Sequence, residues 1–121
     1  MFQRTIAQEL KKRAQKMPVI AIIGPWQSGK TTLAQATFTK HTYISLEDLK
    51  KREFAEKDPH VFFETYHNEH GIILDEIQQV PQLLSYIQVY SDQYDKLGYF
   101  ILNDIFISNI FFIFIQLIKE N

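Results

Sequence analysis

Cysteine is absent from the 121-residue chain, and glycine and proline are scarce, at four each. Without cysteine there are no disulfides and no thiolate metal sites, and the chain is compatible with a reducing compartment. So little glycine excludes a collagen-like repeat, and no Gly/Ser or Pro-rich linker and no internal repeat interrupts the chain. Neither sign of charge is in excess, with 13 Lys and Arg against 14 Asp and Glu, and 45% of positions are apolar. Highly charged disordered classes are therefore out, and one globular domain at most is expected. The four histidines are too few and too scattered to replace cysteine as metal ligands. A secretory leader is not expected, because Lys11, Lys12 and Arg13 interrupt the N-terminal apolar positions. A cytoplasmic location is expected.

The charge that is present is unevenly laid out. Residues 1–57 hold 11 Lys and Arg and 5 Asp and Glu, whereas residues 58–121 hold 2 and 9. A basic half can meet phosphates or an acidic partner, but solvated helix faces produce such clusters routinely. Lys50, Lys51 and Arg52 read in that way, and no nucleic-acid partner is inferred.

Phe2, Ile6, Leu10 and Ala14 recur every fourth residue and predict a helix with one apolar face. Pro18 ends it. The run from Val19 to Ile23 is β-branched and too short for a helix, so it predicts a strand buried on both faces. A glycine-containing turn at 24–30, a helix at 31–38 and a strand at 41–45 follow, which is the βαβ pattern of a parallel sheet. Residues 46–66 predict one or two helices broken at Asp58-Pro59. Gly71–Glu76 predicts a further buried strand ending in two acids. Pro81 suits the first turn of a helix carrying Leu83, Leu84, Ile87, Tyr90 and Tyr94, and Gly98–Leu102 predicts a last strand. The Tyr86, Tyr90 and Tyr94 series is helically spaced and reads as core packing. His67 and His70 lack a third ligand and read as surface residues.

The segment Gly24-Pro25-Trp26-Gln27-Ser28-Gly29-Lys30-Thr31 fits G-x-x-x-x-G-K-[ST] and sits between a predicted buried strand and a predicted helix. In that context the loop's backbone N–H groups cradle an anion and the helix presents its positive end. Gly24, Gln27, Ser28, Gly29, Lys30, Thr31 and Thr32 are the candidate nucleotide-binding residues. Lys30 reaches toward the β- and γ-phosphates, and Thr31 offers a hydroxyl to Mg²⁺. Asp75 and Glu76 emerge at the C-terminal end of their strand, where open α/β sheets bind ligands. Asp75 is expected to hold Mg²⁺, and Glu76 to orient or deprotonate an attacking water. No other metal site is proposed.

Several stretches agree in order and spacing with one family: GPxQSGKTTL at 24–33, Ser45-Leu46-Glu47-Asp48, Asp58-Pro59, ILDEIQxVPxLL at 73–84 and Tyr99-Phe100-Ile101-Leu102. In these the chain resembles the prokaryotic AAA-type ATPases that join an N-terminal P-loop domain to a C-terminal, nuclease-like domain of uncharacterised function. The resemblance implies an α/β P-loop NTPase fold of the AAA/ASCE type, with the strand ending at Leu102 between the P-loop strand and the Asp75 strand. It implies binding and hydrolysis of ATP with Mg²⁺, and makes Lys30 and Thr31 the Walker A pair and Asp75 and Glu76 the Walker B pair. Asn103 falls at the sensor-1 position. Trp26 stands where the family usually has Arg. The partners expected are the nucleotide and further copies of the chain in a homo-oligomer.

Beyond Leu102 the family pattern stops. Ile105–Ile118 is dominated by Ile and Phe, 14 residues against the ~20 that a membrane span needs. A membrane partner is not expected. The chain is therefore expected to comprise a partial P-loop ATPase domain at 1–102, incomplete at its C-terminus, and an apolar tail at 103–121 read as translated out of frame, the alternative being a genuine shortened family member whose tail associates with a membrane or binds a partner. Alternatives to hydrolysis are a nucleotide-binding remnant without turnover and a P-loop kinase.

Overall fold

A computed structural model of the chain describes residues 2–22 and 30–103. Among the described residues four strands form one parallel sheet: β1 (Val19–Ile22), β2 (Thr42–Ser45), β3 (Ile72–Asp75) and β4 (Phe100–Asn103), in the order β1-β4-β3-β2. β4 thus lies between β1 and β3, as the family resemblance implies. The registers are continuous across the sheet, with Ile22 beside Asn103, Asn103 beside Asp75, and Asp75 beside Ser45. The last residues of all four strands stand in one row.

Helices α1 (Phe2–Ala14), α2 (Lys30–Thr37), α3 (Leu49–Lys57), α4 (Pro59–Tyr66) and α5 (Leu83–Tyr94) connect and cover the strands. Successive side chains of a strand point to opposite faces, so each strand contributes to two cores. Ile20, Ile22, Ile73 and Ile101 pack with Leu10 of α1, with Ala34 of α2 and with Phe38 just after it. Val19, Ile72, Leu74, Phe100 and Leu102 pack on the other face against Ala55, Phe62, Phe63, Leu83, Leu84 and Ile87 of α3 to α5. The α/β architecture expected from the sequence is the one observed.

Local chemistry sets the boundaries. Lys11, Lys12 and Arg13 occupy the last turn of α1, where cations oppose the negative end of the helix dipole. Asp48 caps α3, its carboxylate accepting the Lys50 N–H at 2.9 Å. Asp58 makes the expected break: its N–H donates to the Phe54 carbonyl, its side chain accepts from the Val61 N–H, and Pro59 opens α4.

Three expectations need correction. Pro81 does not sit inside a helix, because Ile77–Gln79 forms a 3₁₀ turn first and α5 starts only at Leu83. Arg52 is not simply solvated; its Nε donates to the Leu46 carbonyl at 2.9 Å, fastening the β2–α3 connection. Of the tyrosine series, Tyr90 is buried and Tyr94 packs against the core, while Tyr86 remains exposed. Among the described residues no helix is long and apolar enough to cross a membrane. The 105–118 run lies outside them.

Candidate functional site

The row of strand ends places the chemistry. Asp75 closes β3 and is 4% exposed, and Asn103 closes β4 and is fully buried. Ile73 belongs to the core beneath α1 and α2, and Asp75, two residues on, falls on that same face by alternation. α2 packs against β3 and β4 there. The helix that Lys30 opens and the acid that ends β3 therefore share one side of the sheet.

Asp75 and Asn103 are tied through the backbone that follows. The Glu76 N–H donates to the Asn103 carbonyl at 3.3 Å, while the Asp75 carbonyl accepts the Leu46 N–H at 2.9 Å. Glu76 itself is left-handed, with φ 60° and ψ 44°. For a residue with a Cβ this conformation costs ~1 kcal/mol or more, and it ends the strand abruptly at Asp75. The Glu76 carboxylate accepts from Gln78 Nε2 at 2.5 Å.

Of the predicted residues, the structure brings Asp75, Glu76 and Asn103 together. Lys30, Thr31 and Thr32 form the first turn of α2, and their side chains lie outside what is described. Gly24, Gln27, Ser28 and Gly29 also lie outside the described residues. Even so, their attachment points are known. Ile22, the last described residue before them, stands one strand away from Asn103 and two from Asp75, or about 10 Å at the usual strand spacing.

One residue at the site escaped sequence reasoning. The Tyr43 hydroxyl donates to Asp75 Oδ2 at 2.7 Å from the edge strand β2. No motif marks Tyr43, and its partner becomes evident only once β2 is known to lie beside β3. A separate hollow of about 340 Å³, lined by Lys11, Phe38, Lys40, His41 and Leu97 among others, opens at the opposite edge of the sheet and holds none of the predicted site residues.

The side chains that close β3 and β4 offer oxygen donors, the carboxylate of Asp75 and the carboxamide oxygen of Asn103. Such a set suits a hard cation like Mg²⁺, which one or two carboxylates hold together with substrate phosphates. Among the described residues no group of three or more His, Asp or Glu is placed to enclose a metal by itself.

No curated protein and no solved structure matches the chain. A family match is present, to an AAA domain over residues 16–104. That span takes in all four strands of the sheet and nearly three quarters of the sequence. The chain therefore belongs to the AAA domain family, as a nucleotide-binding, ATPase-like protein of α/β fold.

Proposed function

We propose that the chain binds ATP with Mg²⁺ at the C-terminal edge of its sheet and hydrolyses it. The observation that carries this reading is the register that aligns the end of β1, where GPWQSGKT begins, with Asn103 and Asp75. Backbone N–H groups of Gly24, Gln27, Ser28 and Gly29 cradle the phosphates, Lys30 neutralises the β- and γ-phosphates, and Thr31 and Thr32 complete the first turn around them. Thr31 and Asp75 hold the metal. Bound Mg²⁺ supplies charge neutralisation on the phosphate oxygens. Glu76 orients the attacking water and accepts its proton, and Asn103 senses the terminal phosphate from the neighbouring strand.

A second reading, binding without turnover, draws support from one contact. The Glu76 carboxylate is already engaged by Gln78, and a carboxylate so held is less available to a water. Titration of a fluorescent ATP analogue with Mg²⁺ into the 121-residue chain and into Lys30→Ala tests the shared part. Binding lost in Lys30→Ala supports the phosphate role, and equal binding overturns it. Phosphate release by the unaltered chain and by Glu76→Gln separates the two readings. A rate that falls in Glu76→Gln by ~10²-fold or more supports hydrolysis through Glu76. No release from either chain favours binding alone, and a phosphorylated acceptor in place of free phosphate would make the protein a kinase.

A further inference from the structure

Tyr43 lies outside the phosphate-binding motif and the acidic pair, yet its side chain touches the acid that ends β3. The hydroxyl donates to Asp75 Oδ2 at 2.7 Å across 32 residues of sequence. The register explains how it reaches. Tyr43 is in line with Ile73 and Ser45 with Asp75, so Tyr43 stands diagonally behind Asp75 on the adjacent strand. A tyrosine spans that diagonal readily. The ring is held in turn, packing into the core of Ile73, Ile101 and Ala34 beneath α2.

Asp75 is 4% exposed, so few waters are on hand to set the plane of its carboxylate. A donor fixed on one oxygen sets it instead. We infer that Tyr43 is a positioning residue for the metal, orienting the Asp75 carboxylate through this hydrogen bond. The inference rests on the reading of Asp75 as a holder of Mg²⁺. Mg²⁺ demands near-octahedral geometry and tolerates little rotation of a ligand, and hydrogen-bonded partners of metal-binding carboxylates commonly supply that constraint. Tyr43 acts through Asp75 and touches neither nucleotide nor metal.

The test follows binding of a fluorescent ATP analogue to the 121-residue chain as Mg²⁺ is titrated, for the unaltered protein, Tyr43→Phe and Asp75→Asn. Melting temperatures are taken without nucleotide or metal. Tyr43→Phe keeps the ring and removes the donor. It is expected to melt within a few degrees of the unaltered protein and to need about ten-fold more Mg²⁺ for half-maximal binding. Asp75→Asn is expected to need still more. A Mg²⁺ requirement unchanged in Tyr43→Phe but raised in Asp75→Asn overturns the positioning role and leaves the metal site standing. So does a lowered melting temperature with an unchanged requirement, which marks Tyr43 as structural. If Asp75→Asn responds to Mg²⁺ as the unaltered protein does, Asp75 is not at the metal, and both readings fall.

Discussion

His41 Nε2 stands 2.8 Å from the carbonyl oxygen of Gly98, a residue 57 positions further on. A carbonyl only accepts, so Nε2 carries the proton. The Gly98 N–H in turn donates to the Met17 carbonyl at 2.7 Å. One peptide turn thus links the entrances of β1, β2 and β4, at the edge of the sheet opposite the candidate site.

Burial holds the His41 imidazole below its usual range, the bond to Gly98 works against that lowering, and His70 adds to it. The unfolded chain therefore takes up a proton at residue 41 at a higher pH than the native chain does. Stability rises with pH through this window and is lost as pH falls from 6.5 toward the lower native value. Thermal melts between about pH 7.5 and about 5.5 are expected to show a steeper acid loss in the unaltered protein than in His41→Gln. Parallel curves would place the loss elsewhere.

Gly71 has φ +137°, and a Cβ there would overlap the Tyr99 carbonyl oxygen and lie 2.6 Å from His41 Nε2. The first is backbone and cannot step aside, because it accepts the Ile72 N–H at 2.8 Å. Gly71→Ala is expected to lower stability by ~3 kcal/mol or more, with Gly98→Ala, at φ +69°, milder at ~1–2 kcal/mol. Urea unfolding ranks the two, and an equal or reversed order would contradict this reading.

Tyr99 is fully buried, and burial above all pushes its phenol up to about 12, the Asn68 N–H opposing and Tyr94 adding. The unfolded chain ionises this group near 10, so the contribution is intact below that pH and is lost as pH rises from 10 toward 12. Spectroscopic titration is expected to show tyrosine ionisation extending above the usual range, with its latest component diminished in Tyr99→Phe. At neutral pH Tyr99→Phe also loses the contacts with His67 and the Asn68 N–H, at a cost of ~1–2 kcal/mol.

Asp58 both closes α3 and caps α4. Replacing it by alanine leaves the Val61 N–H without its acceptor and is expected to cost ~1 kcal/mol, read as a lower urea midpoint with unchanged slope. Asp58→Asn retains an acceptor and is expected to stay close to the unaltered protein. If Asn destabilises as much as Ala, charge rather than capping is the cause.

Strand positions were legible in the sequence because Val19–Ile22 and Ile72–Leu74 are short β-branched or leucine runs, and so short an apolar run fits a strand covered on both faces better than a helix. The placement of β4 between its neighbours came from family resemblance, since nothing local in Phe100–Asn103 names its partners. Pairings that depend on that order stayed hidden. His67 read as a plain surface residue, yet its ring stacks on Tyr94 and meets the Tyr99 hydroxyl, 32 residues away. Tyr43 looked like any other strand residue for the same reason. The start of α5 is not marked by Pro81, because proline favours a first helical turn but also tolerates the turn that Val80 and Pro81 make here, where their carbonyls accept the Leu83 and Leu84 N–H groups.

The pairing of Val19 with Phe100 also has a meaning in time. β1 pairs only with β4 among the described residues, and about eighty residues separate them in the chain. At synthesis rates of about 5–20 residues per second, the ribosome spends roughly 4–16 s between the two strands. For that interval β1, which leads into GPWQSGKT, has emerged without its hydrogen-bonding neighbour. The other neighbouring strands are made much closer together, β2 within about thirty residues of β3 and β3 within about thirty of β4. β2 and β3 can therefore pair before β4 is made, whereas among the described residues β1 has no strand to pair with until β4, the last of the four, is available.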